Sequence, residues 1–144
     1  MYGRADYASF SINYRLAPQH KYPAQIDGVE SAIRFVRQHA EAYKVNPERI
    51  ALIGESAGGR LVSMVGARNK PDARVNAVVS FYGPHDLERR AVESKEISDQ
   101  SPEMCEKLKA AGNDCELFTV EGGAHGIASW EKVPGAADLQ AHDD

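Results

Sequence analysis

The residues with a chemical use sit at the end of a short apolar run: Gly54-Glu55-Ser56-Ala57-Gly58-Gly59. A hydroxyl residue with glycine two positions before and two after, between a β-type run and a helical run, is a G-x-S-x-G elbow. The turn is tight enough to hold Ser56 at strained backbone angles and to require glycine at 54 and 58, where neighbouring chain passes close. The strain lifts the Ser56 hydroxyl off the sheet edge. The Ala57 N–H, at the start of the following helix, faces the position where an oxyanion would form. That chemistry is nucleophilic attack by a serine. A phosphate-cradling loop is excluded, because Gly59 is followed by Arg60-Leu61 rather than Lys and a hydroxyl residue.

A serine nucleophile needs a base. Of the five histidines, His20 lies in a Pro-containing loop, His39 on the polar side of a helix and His142 in an acidic tail. His85 and His125 each follow a predicted strand. Strand ends at the carboxyl edge of a parallel sheet converge on one crevice, which favours these two.

The elements that must position these groups alternate. Ala8 to Tyr14 is β-rich. Ile26, Val29, Ile33 and Val36 recur at helical spacing and predict an amphipathic helix over about Ala24 to Tyr43. Arg49 to Gly54 reads as a short buried strand and Ala57 to Arg68 as the helix after it. Val75 to Phe81 is another strand. Ser101-Pro102 reads as N-cap and first position of a helix with Met104, Leu108 and Ala111 on its apolar face and Gly112 at its end. Cys115 to Val120 is a last strand, leading into Gly122-Gly123-Ala124-His125-Gly126. Strands alternating with helices predict an α/β fold with a mostly parallel sheet of about four strands flanked by helices.

Bulk properties narrow the function classes. The chain has 144 residues, the size of one domain, with 42% hydrophobic and 26% charged residues and a net charge of −4. There is no basic stripe for nucleic acid and no apolar run near the ~18 residues of a membrane span. Met1-Tyr2-Gly3-Arg4 has no signal-peptide pattern, so the cytoplasm is the default compartment. Secretion is the alternative should an N-terminal part be missing. Cys105 and Cys115 have no metal-ligand spacing and read as two free thiols, a single bridge being the alternative. Nothing in the sequence sets the oligomeric state.

Five segments carry a resemblance. NYRLAPQHKYPAQIDG (13–28), NPERIALIGESAGG (46–59), VVSFYGPHDL (78–87), QSPEMCEKLKAAGNDCEL (100–117) and VEGGAHG (120–126) resemble, in order, the esterase/lipase branch of the α/β-hydrolases. The likeness is to the hormone-sensitive-lipase-like and small bacterial acetyl or feruloyl esterases. It implies one α/β-hydrolase-like domain over residues 1–144 that cleaves small esters of short acyl or aromatic type, without metal or cofactor. Ser56 is the implied nucleophile. The chain order of this fold, Ser then acid then His, selects His125 as base. By the family spacing Glu93 falls at the acid position. Asp86, just past the third strand, is the alternative, and a chain with no functional acid, both carboxylates being solvated surface charges, is the third reading. A peptidase of the same fold is a further reading, against which the segment around Tyr14–Pro18 speaks.

The family's His-Gly-Gly-Gly loop, which supplies most of its oxyanion hole, does not occur in these 144 residues, nor does the strand that precedes its acid. The resemblance thus implies an incomplete, truncated and internally deleted domain with only the Ala57 N–H at the oxyanion. A catalytically weak or inactive remnant is the companion expectation.

Overall fold

The structure, a computed structural model, describes residues 7–86 and 100–133. The chain divides into two compact units, Met1–Ser80 and Phe81–Asp144.

The first unit is built around α1 (Ala24–Gln38) and the β1–α3–β2 unit: β1 (Ala51–Glu55), α3 (Ala57–Arg68) and β2 (Ala77–Phe81). The short α2 (Ala40–Tyr43) follows α1 after a break at His39, whose N–H still reaches the Phe35 carbonyl. The helix expected over Ala24 to Tyr43 is therefore two helices. The apolar stripe explains where α1 packs. Ile26, Val29 and Ile33 are buried at i, i+3 and i+7 and meet Val65 of α3 and Ala73, with Ile50, Leu52, Leu61, Met64 and Val75 around them. Full burial of side chains of this size contributes roughly 1.5–3 kcal/mol each.

α3 lies tightly on the sheet. A Cβ added at Gly66 would stand 2.9 Å from Val78 Cγ2. Two polar devices fix the connections. Arg37, in the last turn of α1, donates to the carbonyls of Pro47 (3.2 Å), Asp72 (3.0 Å) and Arg74 (2.7 Å). Asn76 brings the strands into register just before β2. Its N–H donates to the Ile50 carbonyl at 2.8 Å, and its Oδ1 accepts the Ile50 N–H at 2.9 Å.

β1 and β2 are neighbours in a two-stranded parallel sheet with flanking helices. The sequence predicts four strands, and two of them are absent. Neither 8–14 nor 115–120 forms a strand, although both are rich in β-formers. Strand propensity is realised by packing on a pleated, partly buried surface, and these segments lack one. Phe10 and Ile12, and in the second unit Leu117 and Phe118, are exposed. β1 is also not buried throughout. Leu52 is half-buried, whereas Ile53 on the other face is 46% exposed, as Val79 of β2 is at 40%.

In the second unit, α4 (Gln100–Ala110) begins one residue before the expected Ser101 cap. It presents Met104, Cys105 and Leu108 inward, while Ala111 is exposed. It ends as predicted at Gly112, whose φ of 80° lets the Asn113 N–H fold back to the Leu108 carbonyl at 3.0 Å. Cys105 and Cys115 are joined in a disulfide, correcting the reading of two free thiols. The turn at Gly112 brings their Cα atoms to 5.6 Å, within the range a bridge requires. Among the described residues no helix is long and apolar enough to cross a membrane.

Candidate active-site elements

Strand β1 delivers the chain to Ser56, and α3 begins at the next residue. Ser56 has φ 51° and ψ −117°. A non-glycine residue there costs on the order of 1–3 kcal/mol, so the surrounding turn must hold it. The Ser56 carbonyl accepts the Arg60 N–H at 3.1 Å, the first bond of α3. Its side chain does not cap the helix. The Ala57 N–H belongs to the first-turn amides of α3, which have no acceptor within the helix and carry the positive end of its dipole.

The two motif glycines do different work. A Cβ on Gly54 would run into the Gly58 carbonyl group and lie 2.8 Å from the Gly59 nitrogen. A Cβ on Gly58 would meet nothing within 4 Å. The expectation that both positions need glycine for close approach is thus corrected at 58: only Gly54 is sterically required, because the helix backbone at 58 and 59 passes over it. Gly59 is buried, and Glu55 is exposed at the end of β1.

In the second unit, His125 sits in a loop made possible by Gly122 (φ 70°) and Gly126 (φ 133°). It is exposed, and its ring centroid lies 4.6 Å from that of Tyr82. The Ser129 hydroxyl donates to the Gly126 carbonyl at 2.6 Å and closes the turn after the histidine. Asp86 is exposed, but its backbone is pinned. The carboxamide of buried Gln100 accepts the Asp86 N–H at 3.0 Å and donates to the Asp86 carbonyl at 3.1 Å. His85 is half-buried beside it. Glu93 lies outside the described residues, as does His142. His20 and His39 belong to the first unit; His39 Nδ1 sits 2.8 Å from the Phe35 carbonyl.

The structure therefore assembles Gly54, Glu55, Ser56, Ala57, Gly58 and Gly59 as one strand–turn–helix element in the first unit. His125 and Asp86 are placed in the second. Tyr82 and Gln100 were not singled out by the sequence. A Tyr-Gly-Pro run reads as strand punctuation, and a lone glutamine at a helix start reads as surface.

A solved structure of LAE6, an alpha/beta hydrolase enzyme from the metagenome of Lake Arreo, Spain, superposes on 90% of this chain and 58% of its own, with a TM-score of 0.67 at 20% identity. The fold is that of the α/β-hydrolases. The chain belongs to the BD-FAE family, whose model matches residues 1–114. Among curated relatives it is 38% identical over 89 residues to a probable carboxylic ester hydrolase, LipM, of Mycobacterium tuberculosis, covering 55% of this chain and 21% of LipM. It is 41% identical over 76 residues to arylacetamide deacetylase of Oryctolagus cuniculus, covering 50% of this chain and 19% of that enzyme. The chain spans about a fifth of the length of these curated relatives.

Proposed function

We propose that this chain carries serine carboxylic-ester hydrolase chemistry on small short-acyl or aromatic esters, with Ser56 as nucleophile and His125 as general base. The observation that carries the reading is the backbone of Ser56, at φ 51° on a strand-to-helix turn that only Gly54 permits. The ester-hydrolase relatives support the same chemistry.

In this reading the Ser56 hydroxyl adds to the ester carbonyl carbon while His125 takes its proton. The carbonyl oxygen becomes an oxyanion facing the Ala57 N–H. Collapse of the adduct breaks the carbon–oxygen bond, and His125 returns the proton to the leaving alcohol. Water, deprotonated by His125, then adds to the acyl carbon; collapse breaks the bond to the Ser56 oxygen, which takes the proton back from His125, and the carboxylic acid is released. The acid that orients His125 is Glu93 by family spacing, with Asp86 as the alternative. The Ala57 N–H is one oxyanion donor of this elbow, and a donor of that kind contributes roughly 2.7–4 kcal/mol of transition-state stabilisation.

Hydrolysis of p-nitrophenyl acetate by the purified chain, with Ser56→Ala as control, tests the proposal. A turnover that disappears in Ser56→Ala is the expected result. Equal rates for the two proteins would refute it.

A further inference from the structure

We propose that Tyr82 is the positioning residue of His125, acting with Trp130 as an aromatic brace that fixes the histidine loop from both sides. For its kinetic half this rests on the esterase reading above.

The brace begins where β2 ends. Tyr82 has φ 41°, a conformation a bulky side chain rarely adopts and that persists only where its surroundings hold it. Its ring lies against the His125 imidazole at 4.6 Å between centroids and 57° between planes, within the range of specific ring–ring contacts. Its phenol oxygen accepts the N–H of Ile127, two residues beyond the histidine, at 2.9 Å. Trp130 holds the other flank. Its indole N–H donates to the carbonyl of Ala124, the residue just before the histidine, at 2.8 Å. The two anchors are themselves joined. The Trp130 ring meets Tyr82 edge-on at 5.5 Å and Phe81 at 6.0 Å.

The backbone between the anchors is Ala124-His125-Gly126-Ile127, and Gly126, at φ 133°, would let such a loop swing. One hydrogen bond before the imidazole, one after it and a ring beneath it remove that freedom. An exposed general base needs this restraint, because a misplacement of about 1 Å can cost on the order of 10²-fold in rate.

The test is NMR of the chain carrying 13C-labelled histidine, together with ester hydrolysis. The His125 Hε1 resonance is assigned by its loss in His125→Ala. In the wild type it lies upfield of that of His20, shifted by the tyrosine ring current; His39 is no reference, because its own ring centroid lies 4.2 Å from that of Phe35. Tyr82→Leu moves the His125 resonance downfield toward that of His20 and lowers kcat for p-nitrophenyl acetate by on the order of 10–10²-fold, with KM nearly unchanged. Tyr82→Phe keeps the ring, and therefore the upfield shift, but loses the Ile127 bond and falls between the two in kcat. Should Tyr82→Leu fail to fold by circular dichroism, Trp130→Phe replaces it. Loss of the Ala124 bond then broadens or doubles the His125 resonance. A folded Tyr82→Leu, or Trp130→Phe in its place, with an unaltered His125 resonance overturns the proposal. If the wild type hydrolyses no ester, the esterase reading fails alone, and the resonance still decides whether the brace exists.

Discussion

A Cβ placed on Gly54 would stand 2.8 Å from the backbone nitrogen of Gly59 and closer still to the Gly58 carbonyl. The start of α3 thus leaves room at the end of β1 for glycine alone. Gly54→Ala must push the helix away or rotate the turn, at about 1–3 kcal/mol of overpacking. Ser56 then leaves its position, and labelling by a fluorophosphonate probe falls by on the order of 10²-fold. Gly58→Ala meets open space and gains helix propensity of roughly 1 kcal/mol. It raises the melting temperature and keeps the labelling. Melting curves and labelling rates for the two variants check the asymmetry.

The buried carboxylate of the first unit predicts a pH dependence. Glu30 is 1% exposed and accepts from Lys70 Nζ at 2.6 Å, Arg68 Nη1 at 3.2 Å and Arg34 Nη2 at 3.4 Å. Burial by itself would raise its pKa. The hydrogen bonds and charges of Lys70 and Arg68 outweigh that and hold it below the ordinary 4.5. The unfolded chain therefore binds this proton more readily than the folded one. The stabilisation is full above about 4.5 and is lost as the pH falls through the lower folded value. Asp72, lowered by its hydrogen bond with Arg34, has the same sign. In urea unfolding at pH 7, Glu30→Gln is destabilised by about 1.5–3 kcal/mol, and the gap closes toward pH 3. A gap that widens toward acid would contradict the network.

The Cys105–Cys115 bridge closes a short loop across the end of α4. On chain-entropy grounds a loop of this size stabilises by about 2–3 kcal/mol. Thiol titration of the denatured chain without reductant should find no reactive thiol, and reduction should lower the melting temperature. Two titratable thiols before reduction would restore the free-cysteine reading.

For the triad acid, Glu93→Gln should lower ester hydrolysis more than Asp86→Asn, by less than the ~10⁴ of a fully formed triad. The reverse order would assign the acid to Asp86. Gln100→Leu separates position from charge. It removes both bonds to the Asp86 backbone and slows the reaction only if Asp86 is the acid.

What the sequence showed and what it concealed follow physical lines. Helix α1 was legible because Ile26, Val29 and Ile33 mark one face through local spacing, and α3 because it follows the strand and the Gly54–Gly58 turn. The elbow was legible because its strain demands particular residue types within five positions. The strands expected at 8–14 and 115–120 were misread because strand formation depends on a neighbour that local composition does not reveal. Gly58 was misjudged for a related reason: motif spacing does not say which glycine meets the other's backbone. The ring of Tyr82 on His125 joins residues 43 positions apart and left no local signal.

The pairing of Ser56 with His125 is tested most directly by the rate at which a fluorophosphonate labels the intact chain, with the modified residue located by peptide mass spectrometry. A single adduct on Ser56 is expected, absent in Ser56→Ala and strongly reduced in His125→Ala, because an unactivated serine is a weak nucleophile. Labelling at another residue, or an equal rate in wild type and His125→Ala, would contradict it.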